Sequence, residues 1–480
     1  MTHLPVRSTV APPAPAPAGP ARLRRREKLA YGAGDLASNL SWNFVGSFLL
    51  FYYTDVAGVP IALLGTLFLV ARLLDAVIDP FIGVLVDRTR TRFGRARPYL
   101  LFAAVPFGVL GVLTFAVPDV GDTGKLVYAF VTYLTLGILF SLVNVPYSAL
   151  MPMMTRDREE RMQLGALRSV GSSVGTIVVT AATTPLVAAL GGGQHGWTVA
   201  TVLYSALSIV FFACTFAGCR ERHAVAAEPV ALDARGDVRA DLRASLRGLL
   251  RNRAWVVTSV YGVLNFVRLG LVLAVTVYYA LVVLQRPSAI SILLPLVSGA
   301  MLVGGLLAPR YYRRLGIRRG NLLALAVGGT GWAALSLVES RFGVFVAVYA
   351  VATLAIGLSM TSMFTMVAEA VEHQERVSGR RDEGLVSASV SFALKVGSAL
   401  GAAAVAYALA GAGYDPAVPG SAAGTISALY LLAPVVLVAA QAVVVLLWSD
   451  VPSGAPSDVP SGVTVPTHPS RPHQSPEDVR

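Results

Sequence analysis

The sequence predicts an all-α integral membrane protein with twelve transmembrane helices arranged as two six-helix halves, and three observations predict it. Apolar residues make up 55% of the 480 and charged residues only 14%, with a mean hydropathy of +0.64, which leaves too little polar surface for a water-soluble chain of this length. Twelve apolar stretches have the length of a membrane span, for which a hydrocarbon core about 30 Å thick needs roughly 20 helical residues. The second of them, 61–86, carries Arg72, Asp75 and Asp79 in its middle, where a charge is costly enough to mark function.

Taken in order, the first span (29–54) follows a basic, Pro/Ala-rich segment without the apolar core of a signal peptide. The charged second span is followed by spans at 98–118 and 125–153, then 164–190 with Arg168 near its start, then 196–218. Cys214 and Cys219 lie five residues apart at the end of the sixth span and imply neither a disulfide nor a metal framework. A polar linker follows, in which Arg239, Arg243, Arg247 and Arg251 recur every four positions opposite Leu242, Leu246 and Leu249. That period describes a basic amphipathic helix lying on the inner leaflet. The second set of spans runs 255–284 with Arg268, 288–308, 320–338, 342–371, 385–411 with Ser391 and Lys395, and 425–448. Gly and Pro within spans are no obstacle, since neighbouring helices satisfy the backbone groups they free. The organisation is therefore a tail (1–27), a first half (28–218), a linker (219–254), a second half (255–449) and a tail (450–480), both tails being too polar and Pro-rich to fold.

A net charge of +12 and a pI near 9.9 suggest nucleic acid until the 39 basic residues are located. They crowd into alternate loops, while the intervening loops hold only Lys125, Arg286 and Arg341 and the spans hold Arg72, Arg168, Arg268 and Lys395. This is the positive-inside asymmetry; it places both termini in the cytoplasm and accounts for the charge without nucleic acid. The preference for Arg over Lys points to a GC-rich bacterial genome and so to the plasma membrane, with lipid as the surrounding partner and a monomer as the expected state. Neither a nucleophile constellation nor a metal-ligand spacing such as HExxH appears, so no enzyme, metal or cofactor is expected.

The halves echo each other. Gly83-Val-Leu-Val-Asp87-Arg88, with Arg90, Arg92, Gly94, Arg95 and Arg97 beyond it, is matched after span eight by Gly305-Leu-Leu-Ala-Pro309-Arg310 and Arg313, Arg314, Gly316, Arg318 and Arg319. Val170-Gly-Ser-Ser-Val-Gly175 in span five is matched by Val396-Gly-Ser-Ala-Leu-Gly401 in span eleven. Near-equal offsets in corresponding spans indicate a parallel repeat, and the small residues permit close helix contact.

These strings carry a resemblance. The Gly-x3-Asp-Arg loop resembles the signature of the major facilitator superfamily. Lys28-Leu-Ala-Tyr-Gly-Ala-Gly-Asp35, Tyr52-Tyr-Thr-Asp55, Gly65-Thr-Leu-Phe-Leu-Val-Ala-Arg72, Asp75-Ala-Val-Ile-Asp79-Pro80 and Phe93-Gly-Arg-Ala-Arg-Pro98 resemble the glycoside-pentoside-hexuronide:cation symporters, the melibiose permease family. Glu160-Arg161-x-Gln163-Leu164, Gly379-Arg-Arg-x-Glu-Gly384 and Ser391-x3-Lys395-x-Gly397 fit the same family, so the likeness covers residues 28–448. It implies the major facilitator fold, with halves related by a pseudo-two-fold axis, and cation-coupled symport of a sugar, glycoside or uronate by alternating access. The runner-up is an exporter of an amphiphile, lipid or secondary metabolite.

The residues themselves define the site. Arg72, Asp75, Asp79 and Gly83 recur at three and four positions and stack along one stripe of a helix. Two carboxylates one turn apart repel when both are ionised, so such a site binds a cation or holds a proton. Asn39 and Lys395 each fall about 15 Å into their spans, near the midplane. The resemblance implies that Asp75 and Asp79, with the hydroxyl of Ser141, form the cation site, but Ile78 stands where the family has an amide. Fewer oxygen ligands favour a proton over sodium, with Asp79 the obligatory carrier and Asp75 its tuning partner. Asn39, Arg72, Asn144, Ser148, Arg168, Ser391 and Lys395 are the candidate substrate-binding residues. Asn39 and Asn144 replace acids of the family's sugar transporter and Ser148 replaces an aromatic, so Arg168 and Lys395 are left without those acids and the cavity is expected to be positive enough for an anionic solute. Asp87, Arg88, Arg95, Glu369 and Glu372 are expected to form a cytoplasmic gate, and Arg268 is either a cavity residue or a partner for an acid of the other half.

Overall fold

The computed structural model describes residues 22–222, 253–378 and 383–448. Its helices coincide with the expected spans: α1 (Arg25–Phe51, extended by a π-turn Tyr52–Val56), α2 (Ile61–Arg88), α3 (Arg97–Thr114, interrupted at Ala103), α4 (Asp122–Met154), α5 (Arg158–Ala189), α6 (Gly193–Gly218), α7 (Arg253–Tyr278, extended by a π-turn Tyr279–Val283), α8 (Ile290–Leu315), α9 (Ile317–Val338), α10 (Phe342–Ser378), α11 (Glu383–Gly411) and α12 (Gly420–Leu446, containing a π-turn). Eleven are long and apolar enough to cross a membrane. The exception is α1, whose Asp35, Ser38, Asn39, Ser41, Asn43 and Ser47 face inward contacts rather than lipid. Several helices run past the expected edges, because a helix tilted through the bilayer continues into water until its caps end it. Both tails beyond these bounds and the amphipathic stretch Arg239–Arg251 lie outside the described residues.

Each half uses the same internal pairings. In the first, α1 packs on α5 and α6, α2 on α4, and α3 on α4 and α6; in the second, α7 packs on α11 and α12, α8 on α10, and α9 on α10 and α12. The glycine pairs explain the tightest of these. A Cβ on Gly171 would collide with the carbonyl of Gly32, and one on Gly175 would press on Leu36; on the other side, Gly397 meets Val263 and a Cβ on Gly401 would collide with the carbonyl of Val267. Side-chain-free positions thus let α5 lie on α1 and α11 on α7 backbone to backbone. Between the halves, α2 packs on α11 and α5 on α8, the two contacts a pseudo-two-fold axis exchanges, and α1 meets α7.

At the end where α1 finishes and α7 turns, the halves are tied. Thr54 Oγ1 lies 2.7 Å from Tyr278 Oη, Tyr414 Oη donates to Asp55 Oδ1 at 2.6 Å, and the rings of Tyr278 and Tyr414 meet edge to face at 5.5 Å. At the opposite end, Lys28 donates to Gln163 Oε1 at 2.6 Å and lies 3.4 Å from Glu160, joining two of the motif strings. Glu221 there accepts the backbone N–H groups of Arg95, Ala96 and Arg97 at 2.8–3.1 Å. A carboxylate at the start of α3 suits the exposed amides and the helix dipole. Gly94, at φ +108°, makes the turn that aims those amides, a conformation closed to most side chains.

Candidate coupling and substrate site

The α2 stripe meets α11 at the middle of the bundle. Lys395 Nζ sits between the two acids, 2.9 Å from Asp75 Oδ2 and 2.5 Å from Asp79 Oδ2. Ser141 of α4 donates to Asp75 Oδ1 at 3.1 Å and accepts from Lys395 at 3.3 Å. Arg72 reaches Asp75 Oδ2 at 3.5 Å while its guanidinium lies 4.2 Å over the ring of Trp42 and 5.5 Å from that of Tyr133. Asp75 is 1% exposed, whereas the Asp79 side chain is partly exposed, although its Oδ1 is buried and has no hydrogen-bond partner among the described residues.

This constellation has two basic and two acidic side chains in one desolvated cluster, which makes it neutral. Spacing along α2 leaves a cation or a proton as the means of relieving the acid pair; the fold brings a third, an ammonium from the other half. Lys395 is therefore ion-paired with Asp75 and Asp79 rather than free. Because it bridges the halves at their contact, any change in the protonation or ligation of Asp79 alters an interaction between α2 and α11.

The proposed solute residues are distributed unevenly. Arg168 Nε lies 3.2 Å from Asp35 Oδ1, and its guanidinium rests 5.1 Å from the ring of Tyr147. Tyr147 in turn stacks on Tyr31 at 4.8 Å and donates to its carbonyl at 2.7 Å. The expectation of an Arg168 without a nearby acid is therefore corrected: Asp35 supplies one, from a helix whose approach the glycines permit. With Lys395 also neutralised, the basis for a positive cavity is removed. Asn39 donates to its own helix at the Asp35 carbonyl (2.7 Å), and its Oδ1 accepts from Asn43 (2.6 Å), which also donates to Thr176 at 2.7 Å. Asn144 is half-buried and Ser148 exposed, neither with a side-chain hydrogen bond among the described residues. Arg88 is exposed, Arg95 contributes its backbone to the Glu221 cap, and Glu369 is half-buried on α10. The side chains of Asp87, Glu372 and Ser391 lie outside the described residues.

Asp35, Trp42, Asn43 and Thr176 escaped sequence reasoning as site residues. Asp35, Asn39 and Asn43 recur every four positions, a polar stripe on an otherwise apolar helix that would have marked the face. Trp42 had no such signal, since an aromatic in a span is ordinarily packing.

A lengthwise duplicated twelve-helix bundle with a charged cluster at its centre defines the class: a multi-pass membrane transporter. The family described as MFS/sugar transport protein matches residues 30–449, and the chain belongs to it. Among its relatives, the isoprimeverose transporter of Lactiplantibacillus pentosus is 31% identical over 88% of either chain. The putative glycoside/cation symporter YagG of Escherichia coli is 33% identical over 89% of this chain and 92% of its own. The crystal structure of a D-xylose-proton symporter shares the fold, with a TM-score of 0.62 at 16% identity over 89% of this chain and 98% of that one.

Proposed function

We propose that this chain is a proton-coupled symporter of a neutral sugar or glycoside in the plasma membrane, working as a monomer with both termini in the cytoplasm. The observation that carries the reading is the Lys395 ammonium held between Asp75 and Asp79, with one oxygen of Asp79 unpartnered. A proton on Asp79 Oδ1 removes the charge that holds Lys395, leaving the lysine to Asp75 and loosening α11 from α2. A sodium ion needs several oxygens at once, whereas of the oxygens of Asp75, Asp79 and Ser141 all but Asp79 Oδ1 are engaged by Lys395, Arg72 or one another.

The neutral solute follows from charge. Arg168 and Lys395, the cations that favoured an anionic one, are both paired with carboxylates. Asn39, Asn144, Ser148, Ser391 and Arg168 are the solute-binding residues of this reading, because amides and hydroxyls suit sugar hydroxyl groups. The names of the relatives, an isoprimeverose transporter and a glycoside/cation symporter, support the same class of solute. In alternating access the Thr54, Asp55, Tyr278 and Tyr414 cluster closes the outer mouth, and Asp87, Arg88, Arg95, Glu369 and Glu372 close the inner one.

The test is external pH in unbuffered proteoliposomes while glycosides, pentosides and uronates are added, with and without sodium, beside an Asp79→Asn variant. Sodium-independent alkalinisation evoked by a neutral solute, absent in the variant, is expected. Uptake that requires sodium and moves no protons overturns the coupling ion. A response to uronates alone overturns the neutral solute, and silence from folded protein across the panel favours export of an amphiphile.

A further inference from the structure

Four cationic side chains stand inside spans, and three of them have carboxylates: Arg72 with Asp75, Arg168 with Asp35, Lys395 with Asp75 and Asp79. The fourth has none. Arg268, in the middle of α7, is 4% exposed and forms no ion pair among the described residues. One of its terminal nitrogens donates to Asn265 Oδ1 at 2.5 Å, and its Nε has no partner. Asn265 Oδ1 also accepts from Gln441 of α12 at 3.3 Å, so this neutral oxygen is shared between two donors, while Asn265 Nδ2 and Gln441 Oε1 are buried and unsatisfied.

Guanidinium does not escape burial by losing its proton. In a membrane interior such a charge is expected to be paired, and a water molecule would satisfy Nε without supplying the missing negative charge. Arg268 lines a partly open cavity of about 30 Å3, with Val272, Met301, Trp332 and Met360 among the other lining residues. One water needs roughly 10–15 Å3; the space admits a monatomic ion and is too small for a sugar.

The fold does not demand a charge there. The glycine contacts that match Gly32 with Val263 and Leu36 with Val267 match Ala37 with Arg268. Ala37 is fully buried, and its carbonyl accepts from Ser208 of α6, whereas Gln441 of α12 donates to Asn265 beside Arg268. In the first half an alanine fills the position; in the second an arginine faces a cavity.

We propose that Arg268 forms a binding site for one small monoanion, chloride or another halide, in the cavity it lines inside the second half, apart from Asp75 and Asp79. The anion supplies the counter-charge that no described side chain gives Arg268, and its occupancy sets the stability of that half.

The test uses the purified full-length chain in detergent, in choline salts at constant ionic strength so that sodium is absent. Chloride and bromide are each titrated against gluconate, an anion too large for the cavity, while thermal unfolding is followed. A saturable rise in Tm with both halides is expected in the wild type, and its loss in Arg268→Met. Equal Tm in chloride, bromide and gluconate throughout overturns the proposal, and so does a halide response that survives in Arg268→Met. Should that variant fail to fold, crystals of the wild type grown in bromide decide: an anomalous peak beside Arg268 Nε is expected, and its absence there refutes the site.

Discussion

Arg168 and Asp35 show how a charged residue in a span is to be weighed. Their side chains retain 30% and 11% exposure, so the pair is not fully dry. Arg168→Gln strands Asp35 and is expected to cost about 1–3 kcal/mol of stability. Adding Asp35→Asn should return much of that loss while transport stays impaired; equal Tm values for single and double variants would contradict the pairing. Cys219 offers a second check outside the spans. Burial pushes its thiol up to about 12, and because the thiolate is the reactive form, iodoacetamide at pH 8 should modify it only after denaturation. Asp35 was within reach of sequence reasoning through its spacing with Asn39 and Asn43, whereas the Trp42 ring over Arg72 was not, because nothing in a sequence says which aromatic a cation will meet.

Among elements, the α1/α5 and α7/α11 contacts are the most constrained. Gly401 has the Val267 carbonyl where its side chain would go, whereas Gly411 on the same helix faces open space. Gly401→Val should therefore lower Tm, overpacking of this kind costing about 1–3 kcal/mol or more, while Gly411→Ala should leave it near that of the wild type. Similar losses for both would mean that helix propensity rather than contact governs. The repeat of Gly171 and Gly175 as Gly397 and Gly401 was legible along the chain. Their partners were not, since small residues announce a close approach without naming the helix that makes it. The extra polarity of α1, which keeps it outside the apolar set of spans, likewise reflects what it faces.

For the molecule as a whole, the two halves are joined by a charge cluster at the centre and by hydroxyl contacts at one end. Tyr414→Phe deletes the hydrogen bond to Asp55 at that end without removing the ring that meets Tyr278. It should shift the population toward opening there. Pulsed EPR between labels at Val120→Cys and Ser288→Cys, both exposed at that end, in a loop and in the short 3-10 turn before α8, is expected to show a larger long-distance fraction; an unchanged distribution would deny the contact a role in closure. Lys395→Gln acts at the centre, leaving Asp75 and Asp79 to repel unless one is protonated, so uptake in the variant should become less sensitive to an imposed proton gradient than in the wild type.

The sequence by itself determined the class, the helices, the duplication and the Arg72, Asp75 and Asp79 stripe on α2, because helix length, charge placement and periodicity are local properties that the cost of burying polar groups in lipid enforces residue by residue. Only the tertiary structure decided which charges neutralise which. Lys395 comes to the α2 acids from a helix more than three hundred positions away, Asp35 removes the surplus on Arg168, and Arg268 is left without a carboxylate. Ion pairs in a low-dielectric interior depend on distances of a few ångströms between helices, and those distances are set by packing that no single span encodes.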